Sequence, residues 1–182
     1  MSRLANMPIM IPSSVNVTCE KNTESFCLTL SNGKINESWT VHPKVQVAID
    51  GDKITISMKE DDRSDKFFKS MLGTDYRHIE NLVKGLDKPF ETVLEIHGLG
   101  YRVKLMDTKV TLSLGKSHDD VVTIPEHVSV DVPNEREIIC KSHSKKLLGD
   151  FVALLCSKRK PDAYKAKGVR IRGVHYRTKS DK

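Results

Sequence analysis

Apolar and polar residues alternate with a period of two over residues 15–18, 26–30, 45–49 and 53–58, the period of strands with one buried face. Between the last two, Asp50-Gly51-Asp52 predicts a tight turn. The period then changes. Phe68, Leu72, Tyr76, Ile79 and Val83 recur at spacings of three and four, which sets them on one face of a helix, with Ser64 as its expected N-cap and Gly85 as its expected stop. The second half of the chain repeats this order. Strand patterns run over 92–96, 101–105, 109–114, 128–132 and 137–140, followed by a helix carrying Leu148, Phe151 and Leu155, with Ser144 as cap and an end at Lys158-Arg159-Lys160 before Pro161.

The two halves also match residue by residue. Leu28-Thr29-Leu30-Ser31-Asn32-Gly33-Lys34 returns as Val110-Thr111-Leu112-Ser113-Leu114-Gly115-Lys116, and Pro43 and Pro125 keep the same offset. Ile54-Thr55-Ile56 aligns with Glu137-Ile138-Ile139, and Ser64-Asp65-Lys66-Phe67-Phe68 aligns with Ser144-Lys145-Lys146-Leu147-Leu148. An internal repeat follows. The expected fold is α+β: two tandem repeated domains, each an antiparallel-rich β-sheet layer packed on one α-helix, plus a basic C-terminal tail. The expected boundaries are 1–86, 87–160 and 161–182.

Composition narrows the class without choosing a function. Hydrophobic residues make up 38% of the 182 and charged residues 30%, as in ordinary soluble domains, and no apolar run nears the roughly 20 residues that span a bilayer. The N-terminus carries only Arg3 and a short Pro-punctuated stretch, unlike a secretory signal, so a cytoplasmic or organelle-interior location is expected. Cys19, Cys27, Cys140 and Cys156 show no CxxC spacing, and Cys27, Cys140 and Cys156 sit in apolar runs. They read as reduced, small core residues; no metal and no cofactor is expected.

Charge changes the picture. Residues 158–182 hold ten Lys or Arg against two acids, Asp162 and Asp181, a segment charge of +8 within a net charge of +6 for the whole chain. The rest of the chain sums to −2. A segment so charged and so poor in apolar residues needs a polyanion or a supporting domain to order it. Lys158, Arg159, Lys160, Arg170, Arg172 and Arg177 are read as neutralisers of phosphate, with Tyr101-Arg102 and Lys116 as a weaker second surface. Tyr164 and Tyr176 add rings that stack on bases or sugars. Charge alone also fits a solvated, frayed basic terminus.

Motifs for chemistry fail on inspection. Gly115-Lys116-Ser117 ends like a phosphate-binding loop, but Val110 stands where the loop needs its first Gly. Gly98-Leu99-Gly100 starts a dinucleotide fingerprint, but Val103 occupies the third Gly position and strand-like sequence follows. His118-Asp119-Asp120 has no nucleophile or metal partner at a useful spacing, and Glu60, Asp61, Asp62 and Asp65 read as helix-start charges. No enzyme is expected.

Pro161-Asp162-Ala163-Tyr164-Lys165-Ala166-Lys167-Gly168-Val169 resembles the C-terminal signature of the large-subunit ribosomal protein number six family, Pro-Glu-Pro-Tyr-Lys-Gly-Lys-Gly-Ile/Val. Ser2-Arg3-Leu4-Ala5-Asn6-Met7-Pro8-Ile9-Met10-Ile11-Pro12, Gly98-Leu99-Gly100-Tyr101-Arg102 and Leu112-Ser113-Leu114-Gly115-Lys116-Ser117-His118 extend the likeness in the right order. Among the departures from it, Ala163 replaces Pro, Ala166 replaces Gly, and Asn6 replaces a usual Lys. Ala166 matters most, because Ala resists the positive φ that Gly accepts.

The resemblance implies a structural constituent of the large ribosomal subunit. It implies that the C-terminal domain and tail bind large-subunit rRNA near the sarcin-ricin loop, through Tyr164, Lys165, Lys167 and Gly168. It further implies neighbouring large-subunit ribosomal proteins as partners, elongation factors in proximity, no small-molecule substrate and no membrane. A free-standing, non-ribosomal RNA-binding protein is the alternative. An RNA-processing enzyme using the His118 loop is a third.

Overall fold

The computed structural model describes residues 7–21, 26–33, 35–58 and 66–179 and separates into two compact units, Met1–Lys88 and Pro89–Lys182. Ser64, the acids Glu60, Asp61, Asp62 and Asp65, Lys34, the opening residues through Asn6 and the last three residues of the chain lie outside the described residues.

The first unit runs β1 (Ile9–Met10), β2 (Asn16–Lys21), β3 (Phe26–Ser31), β4 (Asn36–Thr40), β5 (Val45–Asp50), β6 (Lys53–Met58) and α1 (Lys66–Asp87). Its strands form two three-stranded antiparallel sheets, ordered β1-β6-β5 and β2-β3-β4. Asp50 pairs with Lys53 across Gly51-Asp52, so the predicted tight turn closes a hairpin. The inward positions of the alternating strands build the core. Leu28, Leu30 and Ile54 are fully buried beside Ile79 of α1, each such side chain contributing roughly 1.5–3 kcal/mol of transfer free energy. The helix packs chiefly on β6 and β3, one strand from each sheet. Its apolar face is the predicted one, with Leu72, Tyr76, Ile79 and Val83 buried and Phe68 packed at the margin. Gly85 does not stop it: Gly85 is buried inside the last turn and the helix continues to Asp87. Pro89 supplies the stop, because the residue before a proline is pushed out of the helical region.

The second unit runs β7 (Phe90–His97), β8 (Arg102–Met106), β9 (Lys109–Ser113), β10 (Asp120–Thr123), β11 (Val128–Asn134), β12 (Glu137–Ser142), α2 (Lys145–Lys158) and β13 (Gly168–Ile171). Here the sheets are ordered β10-β9-β8 and β11-β12-β7-β13. The repeat read from the sequence is structural, since β3 and β9 are the middle strands of their meanders and β6 and β12 precede the helices. Ser144 caps α2 as predicted, its hydroxyl accepting from the Leu147 N–H. Leu94, Leu112, Ile138 and Leu155 are fully buried in the core. Pro133 falls where the register between β11 and β12 shifts, on an edge strand that tolerates the missing N–H.

Four strands went unread in the sequence: β1, β4, β10 and β13. Two residues of β1 are too few for a period, and β4 exposes three of its five residues. The His118-Asp119-Asp120 stretch, taken as loop, leads into β10 at Asp120. β13 is the largest difference: residues 168–171, expected within the tail, pair with β7, Val169 opposite Ile96 and Ile171 opposite Leu94. Val169 is completely buried.

Candidate nucleic-acid interface

The signature residues sit in a loop that leaves α2 at Arg159 and returns as β13. Its two ends are joined by the Val169 N–H donating to the Arg159 carbonyl (3.0 Å), and inside it the Asp162 N–H donates to the Lys167 carbonyl (2.9 Å) and the Ala166 N–H to the Asp162 carbonyl (3.1 Å). Gly168 permits this crossing. Its φ is +146°, and a Cβ there would lie 2.8 Å from the Lys160 carbonyl oxygen and from the Pro161 backbone. Ala166 takes φ +57° despite its Cβ, so the loop holds the left-handed bend expected of the glycine it replaces.

The chain end folds back on this loop. The Lys179 N–H donates to the Ala163 carbonyl (2.8 Å), and the Lys179 ammonium lies 6.0 Å from the centre of the Tyr164 ring. Tyr164 remains 54% exposed, enough to leave a ring face open to stacking. Arg159, Lys160, Lys165, Lys167 and Arg177 are exposed, and none of them forms an ion pair among the described residues. Lys158 is half-buried. Lys165 and Lys167 line one open groove together with His97, Leu99 and Arg136.

Other predicted contact residues have different surroundings. Arg172 is held by two carboxylates, its Nε 2.6 Å from Glu95 Oε1 and its Nη2 2.8 Å from Glu137 Oε1. The hydrogen bond to Glu95 holds the guanidinium above its ordinary pKa, and hydrogen bonds from Arg172 and then His97 hold the Glu95 carboxyl below its own. Arg172 thus bridges Glu95 and Glu137, which stand opposite each other on β7 and β12. Arg170 is half-buried, with Nε and Nη2 without hydrogen-bond partners among the described residues and the guanidinium 5.4 Å from the Tyr176 ring. Tyr176 is itself fixed, its hydroxyl accepting from the Ile171 N–H.

On the expected second surface, Tyr101 is a core residue, 8% exposed, with its ring so close to Gly98 that a Cβ there would meet it at 2.5 Å. Arg102 beside it is exposed. Lys116 is bound to Asp120 at 2.7 Å, and that hydrogen bond depresses the Asp120 carboxyl. The burial of Tyr101 was hidden because its neighbours Gly98 and Gly115 become its walls only in the fold.

Leu99 and Arg136 line the same groove. Leu99 is 90% exposed at the turn before β8, and Arg136 is exposed in the turn between β11 and β12. Nothing in their local sequence points to the groove, which forms from three separate turns. Cys140 is fully buried and its thiol is pushed up to about 12 by desolvation, so it behaves as a small hydrophobe. No group of three or more metal-ligating side chains occurs among the described residues, and no described helix is long and apolar enough to cross a membrane.

A family model described as Ribosomal protein L6 matches residues 97–171, the span from the end of β7 to the end of β13. The chain is 32% identical over 182 residues to the large ribosomal subunit protein uL6 of Streptococcus thermophilus strain LMD-9, covering 100% of this chain and 98% of that protein. It is 38% identical over 170 residues to that of Cellvibrio japonicus (93% and 92% covered) and 37% identical over 174 residues to that of Aquifex pyrophilus (95% and 90% covered). Likeness of that extent, running through both units and through the loop just described, makes this chain a member of the ribosomal protein L6 family.

Proposed function

We propose that this chain is a structural, non-catalytic constituent of the large ribosomal subunit, anchored on large-subunit rRNA by the loop of residues 161–168 and its flanking cations. The observation that carries the reading is the exposed set Arg159, Lys160, Lys165 and Lys167, without ion pairs among the described residues, around the half-exposed Tyr164. Cations without protein carboxylates are available to phosphate, and each one placed on a phosphate releases counterions. The named relatives are large-subunit proteins of bacteria, which supports a ribosome of bacterial type, cytoplasmic in a bacterium or in an organelle's interior.

Within that reading, Tyr164, Lys165, Lys167 and Gly168 form the centre of the contact: one ring for stacking, two cations for phosphate, and one glycine that lets the backbone cross. Lys158, Arg159, Lys160 and Arg177 extend it, and the exposed Arg102 remains from the weaker second surface. The resemblance adds a site near the sarcin-ricin loop, neighbouring large-subunit proteins as partners and elongation factors docking close by. Sedimentation of a native lysate through a sucrose gradient tests the reading. Co-migration with the large subunit that persists in high salt supports it. A position at the top of the gradient in both moderate and high salt overturns it in favour of a free-standing RNA-binding protein.

A further inference from the structure

Asp162 is an acid at the centre of a cationic loop, and on charge alone it opposes an RNA ligand. Its geometry says otherwise. The carboxylate accepts the Lys165 N–H at Oδ2 (3.1 Å) and faces the N–H groups of Tyr164 and Ala163 as well. Two of these N–H groups belong to Tyr164 and Lys165, whose ring and cation are exposed. The same residue's N–H and carbonyl bond Lys167 and Ala166, so Asp162 fastens residues 163–167 through both its side chain and its backbone.

We infer that Asp162 is the positioning residue of the RNA-binding loop: it holds Tyr164, Lys165 and Lys167 in their bound arrangement before RNA arrives. This rests on the proposed rRNA contact and adds that the loop is ordered by the protein itself. A loop fixed in advance loses less conformational entropy on binding, so the same phosphate contacts yield tighter association. Three further constraints support an arrangement made within the protein: the closure from Val169 to Arg159, the crossing at Gly168 and the strap from Lys179 to Ala163. The N–H groups, the Lys165 bond first, also keep the Asp162 carboxyl below the usual carboxylate range, so it stays ionised as their acceptor near neutral pH.

The test compares the full-length wild type with Asp162→Asn and Asp162→Ala. Both variants remove the same negative charge, but Asn keeps a side-chain oxygen able to accept the Lys165 N–H. Affinity for deproteinised large-subunit rRNA is measured over a range of salt concentrations, with thermal melting and amide exchange of Lys165 on the free protein. The expected result is that Asp162→Ala binds roughly five- to tenfold more weakly than Asp162→Asn, which stays close to wild type. The salt slope stays the same for all three, since the phosphates neutralised are the same, and the Lys165 amide exchanges faster in the Ala variant. Equal affinity for the two variants, both tighter than wild type, overturns the inference and leaves charge as the whole effect. A collapse of the melting temperature in Asp162→Ala also overturns it, because Asp162 would then support the whole second unit. Wild-type protein that binds this rRNA no better than a Lys165→Glu, Lys167→Glu variant would instead overturn the rRNA contact on which the inference rests.

Discussion

The two units are copies of one plan with unequal charge. The first contains twelve Lys or Arg and twelve acids and is neutral, so the second, with eighteen against twelve, carries the whole net charge of +6. The structural difference lies at one sheet edge. In the first unit β6 is bordered by β1, a strand of two residues, and no described strand lies beyond it. In the second, the corresponding place is taken by β7, with eight residues and room on its far side for β13. Adding that strand brings the basic end of the chain onto a folded support. The difference shows how a duplicated scaffold comes to support a basic loop: one extra edge strand, anchored by the buried Val169, carries a segment that cannot fold alone.

If β13 is what distinguishes the second unit, damage to its approach should destabilise that unit alone. Gly168→Ala is expected to have the largest effect, about 2–3 kcal/mol lost from the second unit, because the new Cβ meets backbone that has no room to move. Residue-resolved amide exchange in urea locates the loss; equal loss in both units would break the comparison. A smaller effect of opposite sign is expected at the replaced glycine. Ala166→Gly should stabilise the second unit by about 1 kcal/mol, since it relieves a left-handed Ala at φ +57°.

The smallest expected effect is a pH dependence. Glu95, on the β7 side of the β7–β13 pairing, has a carboxyl depressed chiefly by Arg172, so its folded pKa lies below its unfolded one. The stability it contributes is present above the ordinary glutamate pKa of about 4.3 and is lost as pH falls through the folded value. Glu95→Gln should therefore reduce the acid sensitivity of the second unit's urea midpoint while leaving that of the first unchanged.

Much of this was legible in the chain. The repeated segments at Leu28 and Val110 predicted two copies of one unit, and the spacing of Leu72, Tyr76, Ile79 and Val83 predicted the buried face of α1, because both patterns report a periodic division between core and water. β13 carried the same sign, with Val169 and Ile171 alternating with Arg170 and Arg172, but the surrounding charge obscured it. The cationic loop was legible from composition and resemblance. What its members touch was not. Arg172 and Lys116 look like Lys165 and Lys167 in a list of cations, yet Arg172 has carboxylate partners brought from β7 and β12, and Lys116 closes on Asp120 four residues along. Asp162 counted as a minor correction to the tail's charge, because its work depends on a turn whose geometry no single residue announces.

If the proposed contact is right, the RNA is held by one unit of the duplicated scaffold alone. Matched charge reversals in the full-length protein test it most directly: Lys165→Glu with Lys167→Glu in the second unit, against Lys53→Glu with Lys66→Glu in the first, all four lysines being exposed. Each pair changes the net charge equally, and affinity for deproteinised large-subunit rRNA is measured at one salt concentration. The expected loss is roughly a hundredfold for the first pair, about tenfold per lysine, and less than about threefold for the second. Equal losses, or a larger loss from Lys53 and Lys66, would contradict it.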